Sequence, residues 1–450
     1  MIEVQCNSRF FKEKSYVVEK LLKDFTGITF NLNIIEDSDG YIFKYKEKII
    51  MVPDIFFAKE GRWLTKDKLP SSCKNIIIKK SFKDIGRESI PVLFGYDQNE
   101  ISIDDSTFSI DIIGSLFFFL SGYEDLVITN KDKHGRPTAY DYAARRFNFT
   151  DIPVVNYYLE LFFQYVNYNF NLDIKIIKFN QFYLTIDIDH PSSLNMNLKK
   201  KLKTLLKDIL LKRDINAFLK RFIAIVYNNY KIDPYNFIPY IKKENILYKT
   251  NVIIFFMNVL QSFSIHDEKY KWNSKFMKYY LQECNDNNIK IGLHLSYNTG
   301  ASPDLLKKEI NDFKIKKFNL HNNSANCIRH HYLRLNPSYS FKLMNDLGFE
   351  MDSSKGFADE IGFKSSICFP YRTFDIINRE ALDLFEMPFM VMDRALISNE
   401  RKFNDTKLFS LIDEVKKFNG TFVYLAHNCE LGYKKWQKKL LKLINYYHKR

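Results

Sequence analysis

Two hydrophobic periodicities divide this chain. Residues 11–25 repeat their apolar positions at helical spacing, whereas 41–45 and 49–52 alternate as short strands about a turn. A long apolar run over 110–126 predicts a buried helix, and the Gly- and Pro-bearing stretch 130–137 predicts irregular backbone. Pro153 precedes an amphipathic helix over 155–166, and the domain seam is expected there. From about 180 onward the pattern alternates. Strands are expected at 182–189, 289–297, 348–352, 389–393 and 421–427. Helices are expected at 199–222, 268–287, 303–313, 338–346, 405–418 and 434–447. The aromatic stretch 225–265 gives no readable element. Strand–helix alternation over this length favours a parallel α/β sheet or barrel. The expected organisation is an N-terminal α+β domain over 1–152 and an α/β domain over 153–450.

Composition narrows the class. The chain has 450 residues, enough for two or three domains, and 46% are hydrophobic, so a large core is within reach. The longest apolar run, near 110–120, is too short to span a bilayer. The first residues lack the basic-then-apolar order of a secretory signal, which favours a cytoplasmic setting. Six scattered cysteines without a CxxC pair fit reduced core thiols. The net charge of +14 is spread over many surfaces. Its densest runs, Lys199–Lys201 with Lys203 and Lys434–Lys442, read as solvated helix faces. Peripheral contact with an anionic membrane is the sharper reading of the same runs. No motif supports nucleic-acid binding.

The chemistry gathers at strand ends. Thr185-Ile186-Asp187-Ile188-Asp189-His190-Pro191 closes an apolar strand with two carboxylates on one face. Adjacent carboxylates repel unless a cation lies between them, so the pair asks for a metal, with one acid as ligand and the other as base. The plainer reading is a strand-end Asp that caps the next helix. His294 lies in Gly292-Leu293-His294, His330 and His331 follow Arg329, and His427 ends Leu425-Ala426-His427-Asn428. Asp352 ends a further strand, and Asp393 follows another; Asp359, Glu360, Lys364, Tyr371 and Arg372 are additional polar candidates. One strand histidine alone is more often a packed core residue. Several at strand ends of one α/β domain argue for a shared site.

In this order, TxDxD, GLH, an Arg-led strand, Asp352-Ser353-Ser354 and LAHN, the chain resembles the polysaccharide deacetylases over about 180–450, in a branch with an extra N-terminal domain. The resemblance implies a deformed (β/α) barrel and a divalent metal, zinc foremost. It implies Asp187 as catalytic base, Arg329 as the residue that orients it, Asp352 as a further catalytic acid and His427 as the acid that protonates the leaving group, an imidazolium that a carboxylate partner such as Asp352 would favour. It implies Asp189 and His294 as metal ligands. Family members usually carry a second metal histidine four residues after the first. Asn298 stands there, a weaker zinc ligand, and His331 is the candidate to supply the missing nitrogen because it would share a strand face with Arg329. Two functions follow. One is a metal-dependent hydrolase that removes acetyl or similar groups from a sugar or glycan precursor. The other is an inactive glycan-binding or polysaccharide-assembly protein on the same scaffold.

Overall fold

The computed structural model describes every residue except 37, 261–263, 270, 318–323, 399–403 and 450. The chain forms two compact units. Unit 1 holds Met1–Phe179, Asn336–Asn345 and Gly362–Pro388; unit 2 holds Asn180–Leu335, Asp346–Ile361 and Phe389–Arg450.

In unit 1, β1 (Ile2–Cys6) pairs in parallel with β2 (Phe30–Ile34) and antiparallel with β3 (Gly40–Tyr45), and β3 turns back into β4 (Lys48–Pro53). A smaller sheet joins β5 (Lys74–Ile78) to β6 (Ser89–Val92) and β7 (Glu100–Ile101). The helix Val154–Phe170 packs inside this unit. Its Phe162 ring meets Phe43 and Phe108, and Tyr158 donates to the Pro91 carbonyl. The seam therefore falls at 179/180 rather than 152/153, because the apolar face of that helix is covered by unit 1. Two later segments also return to unit 1. In one of them, Arg372 pairs with Asp24 at 2.9 Å and Arg379 with Glu13 at 2.6 Å.

Unit 2 is built on β8 (Gln181–Ile188), β9 (Asn251–Met257), β10 (Lys290–Leu295), β11 (Ser324–His330) and β12 (Met351–Asp352). After β13 (Tyr371–Asp375) and β14 (Glu380–Glu386), which belong to unit 1, come β15 (Val391–Met392) and β16 (Thr421–His427). The seven unit 2 strands run parallel in the order β12-β11-β10-β9-β8-β16-β15. The expected parallel sheet is present. Among the described residues no pairing joins β12 to β15, so closure into a barrel is not seen. β9 lies inside the stretch that gave no readable element. Its run Asn251-Val252-Ile253-Ile254-Phe255-Phe256-Met257 is buried on both faces, so it lacks the alternation that marks a half-buried strand.

The turn after β8 is tied down by a buried carboxylate. Asp233 accepts from the Ser192 hydroxyl at 2.7 Å and from the Ser193 amide and hydroxyl at 2.7 and 2.8 Å. Arg221, fully buried, lies 3.6 Å from Asp233 and donates to Asp208 at 2.7 Å. Tyr433 donates to the other oxygen of Asp208. Removing the guanidinium would leave two buried carboxylates without their cation, which typically costs about 3–5 kcal/mol. Arg221→Met is expected to lower unfolding stability by about that amount, read from the denaturant midpoint. A change under ~1 kcal/mol would show that the pair is not structurally important.

Candidate active site

A parallel sheet ends all its strands at one edge, and side chains from distant parts of the chain meet there. Register does the placing. Asp187 on β8 sits beside His427 on β16, and His294 on β10 sits beside Arg329 on β11. Asp189 lies one residue past the end of β8. It faces three imidazoles: its Oδ1 is 3.5 Å from His294 Nε2 and 3.6 Å from His331 Nε2, and its Oδ2 is 3.7 Å from His427 Nε2.

Each imidazole is oriented by a partner on its other nitrogen. His294 Nδ1 lies 3.1 Å from the Arg329 carbonyl, His331 Nδ1 lies 2.7 Å from Asp267, and His427 Nδ1 lies 2.6 Å from Asp393. A carbonyl or carboxylate oxygen only accepts, so Nδ1 carries the hydrogen in every case. In the neutral ring this leaves the Nε2 lone pair aimed at Asp189. That is the arrangement of metal-binding histidines, whose remote nitrogen is held by a carbonyl or carboxylate.

Asp189, His294 and His331 each offer one ligand atom, all within 4.8 Å of one another. Two of these atoms, Asp189 Oδ1 and His294 Nε2, are buried without a hydrogen-bond partner, a costly state for polar atoms. Ligands about 2.0–2.2 Å from a tetrahedral zinc sit roughly 3.4 Å apart, close to the 3.5 and 3.6 Å that separate Asp189 Oδ1 from the two imidazoles. The donor set of one carboxylate and two imidazoles thus fits a zinc-class ion. Asn298 is not among the three; it sits in the turn Tyr297–Gly300.

His331 reaches this position by leaving the strand. β11 ends at His330, and Tyr332 and Leu333 follow with φ of 57° and 56°, a left-handed turn that bulky residues adopt only when the surroundings require it. The expectation that His331 shares a strand face with Arg329 is therefore corrected: the turn aims it, not the pleat. His330 stays buried with neither ring nitrogen bonded, and burial with His294 and Arg334 nearby pushes its pKa down to about 3.

Asp187 is held separately. The buried Arg329 donates to its Oδ1 at 3.0 Å and to the Thr185 hydroxyl at 2.9 Å. Its other nitrogens bond the Ser353 carbonyl and hydroxyl, each at 2.7 Å. Asp187 Oδ2 faces His294 Nε2 at 3.7 Å. The guanidinium lies over the Phe255 ring at 4.5 Å and near Phe389 at 5.8 Å. Gly292 and Gly356 make room for those rings, since a Cβ would fall 2.6 Å from Phe255 at the first and 2.2 Å from Phe389 at the second.

The charge states diverge with environment. Burial raises the Asp189 carboxyl, yet the imidazoles of His427, His331 and His294 carry it well below its ordinary value. Burial alone would lower His427; the carboxylates of Asp393 and Asp189 outweigh it and push the pKa up to about 9. Burial lowers His331 more than Asp189 and Asp267 raise it. His294 is raised, with Asp187 and Asp189 outweighing its burial. A neutral His331 suits a ligand, and a protonated His427 suits an acid.

The carboxylate on His427 is Asp393, not Asp352. Asp352 instead accepts from the Ser354 hydroxyl at 2.7 Å, and that hydroxyl accepts from the His330 amide. Asp393, which follows β15, also accepts from the His427 amide at 2.6 Å. Asp267, which orients His331 and accepts from the Tyr297 amide, is not among the sequence candidates because its polar surroundings carry no periodic signal. His190 bonds Glu268. Glu360 pairs with Lys407 at 3.5 Å. Lys364, Tyr371 and Arg372 fall in unit 1, with Lys364 3.1 Å from Asp125.

The profile of a family of unknown function (DUF7033) matches residues 2–171, nearly all of the first segment of unit 1. No curated protein matches the chain. Among solved structures, it is similar to one described as a "putative polysaccharide deacetylase" from Mycobacterium smegmatis. The two are 14% identical, with a TM-score of 0.35 over 59% of this chain and 83% of that one.

Asp393→Asn removes the charge that holds the proton on His427. In chelator-treated protein, histidine NMR titration should show the His427 pKa falling from about 9 toward its ordinary 6.5. The wild-type imidazolium stabilises the fold fully below pH ~6.5, and this contribution is lost as pH rises through about 9. An unchanged titration in Asp393→Asn would mean that Asp393 does not set the charge of His427.

Proposed function

We propose that this protein is a metal-dependent hydrolase that removes an acetyl or similar acyl group from a sugar or glycan precursor. One observation carries the reaction class: three imidazoles, each held through Nδ1, turn Nε2 toward one carboxylate, with a second, arginine-anchored carboxylate beside them. The carbohydrate substrate rests on the order of sequence motifs.

Asp189, His294 and His331 would hold the ion. Bound there, a zinc-class cation supplies Lewis-acid polarisation of an acyl carbonyl and lowers the pKa of water. The remaining work belongs to the chain. Asp187, fixed through Oδ1 by Arg329, leaves Oδ2 to take a proton from the attacking water. The water oxygen bonds to the acyl carbon as the bond to the sugar nitrogen or oxygen breaks. His427, protonated and oriented by Asp393, donates its Nε2 proton to the departing atom. Passing the Asp187 proton on to His427 through solvent restores both groups. Asp352, away from His427 Nδ1, supports Ser354 and the β11 backbone in this scheme.

Two measurements test the reading. Calorimetric zinc titration should give about one site, lost in His294→Ala and in Asp189→Ala and kept in Asp187→Asn. Acetate release from acetylated amino sugars should fall by about 10²-fold or more in Asp187→Asn, as expected for loss of a general base. Wild-type protein that binds acetylated glycans but takes up no metal and releases no acetate would instead support the non-catalytic glycan binder.

A further inference from the structure

The turn behind β8 leads into a helical hairpin, Leu198–Leu210 and Ile215–Val226, whose amphipathicity is mounted in reverse. On the first helix, Leu198, Leu202, Leu206, Ile209 and Leu210 recur at helical spacing and are all exposed. On the second, Ile215, Leu219, Phe222, Ile223 and Val226 do the same. Leu206 is 58% exposed, Phe222 49% and Val226 59%. The most deeply buried positions are polar or small, namely the Asp208–Arg221 pair with Ala217 and Ala224, while Leu205, Phe218 and Ile225 are half-buried beside them. A hairpin that served only to cover a core would do the opposite. Scattered surface leucines need no explanation, but two exposed stripes on adjoining helices mark an interaction site.

The rim of the patch is basic. By helical spacing Lys199 falls within the first stripe and Lys203 at its edge, Lys207 and Lys220 lie further round, and Lys201 shares the side of the buried Asp208. Across 198–227 the acids are Asp208, paired internally, and Asp214, which caps the second helix. No carboxylate on the hairpin is free to receive these lysines. A second copy seated on this face would bring like charges together, which disfavours self-association. Apolar stripes flanked by lysines are the composition that lies in the interface of an anionic bilayer, with the leucines among the acyl chains and the ammonium groups at the phosphates. No described helix is long and apolar enough to cross a membrane, so such a contact would be peripheral.

We propose that the hairpin 198–227 docks the protein on an anionic lipid surface. This contact does not depend on the hydrolase reading. The network that seats the hairpin, Arg221 with Asp208 and Asp233, also fixes Ser192 and Ser193 behind Asp189, so the lipid-facing element and the end of β8 share one anchor.

The test is vesicle flotation of the full chain with phosphatidylcholine alone and with phosphatidylglycerol added. Wild-type protein should float with the anionic vesicles, and less so as salt is raised. The combined Leu206→Ser, Phe222→Ser and Val226→Ser variant, all at exposed positions, should bind about tenfold more weakly or worse. Lys199→Gln with Lys203→Gln and Lys207→Gln should erase the preference for anionic lipid. His294→Ala should float as wild type does, which separates this contact from the proposed chemistry. Absence of flotation at low salt, or equal flotation by the serine variant, would overturn the proposal. So would a wild-type dimer in sedimentation that the serine substitutions convert to monomer, since the face would then belong to a second copy.

Discussion

The site depends on how an imidazole is held. A histidine ring has two nitrogens, and fixing one decides what the other can do. His294, His331 and His427 are each fixed at Nδ1, by a backbone carbonyl, by Asp267 and by Asp393. Their free nitrogens converge on Asp189 without touching it at hydrogen-bond distance. Packing alone would not arrange this. Asp189 Oδ1 and His294 Nε2 are buried and unbonded, as the ring nitrogens of His330 are, but only the first two lie with His331 at a spacing that one ion could bridge. That tension is what a cation would relieve, and it gives the candidate ligands a meaning that proximity alone does not.

The two flanking groups are prepared in opposite senses. Arg329 sets a fixed positive charge against Asp187, and its place between Phe255 and Phe389 depends on the missing side chains of Gly292 and Gly356. Asp393 sets a negative charge against His427 and keeps its proton on. Arg329 holds one oxygen of Asp187 and Asp393 keeps the proton on His427, on either side of the same cluster. Divergent environments around titratable groups are how acid and base roles are divided at one pH.

How much of this the sequence announces depends on the range of the interaction. The end of β8 is legible because an apolar run leads directly into Asp187, with Asp189 one residue past the strand, and β16 is readable to the residue. Strand order is not written locally. Asp352 and Asp393 both follow apolar stretches, and nothing in their neighbours says that β15, not β12, lies next to β16. β9 escapes because burial on both faces removes the alternation that would reveal it. His331 is found for the wrong reason, since positive φ at Tyr332 and Leu333 is a tertiary demand on residues with no intrinsic taste for it. Helical periodicity over 199–222 was equally clear, but it cannot say which face turns inward, nor that Arg213, at a φ of 50°, interrupts it between two helices.

That last ambiguity shows a limit of pattern reading. Hydrophobic periodicity identifies a helix with two unlike faces and is then taken, by habit, to point the apolar one at the core. The hairpin 198–227 breaks the habit because its polar face has something better to bind. Arg221 cannot be buried without a carboxylate partner, and Asp208 and Asp233 meet it inside unit 2, with Tyr433 bonded to Asp208. Once that network fixes the rotation of both helices, the leucine stripes have only the outward direction left. The orientation is thus set by the most expensive group to bury unpaired, a single guanidinium, and not by the greater number of apolar side chains.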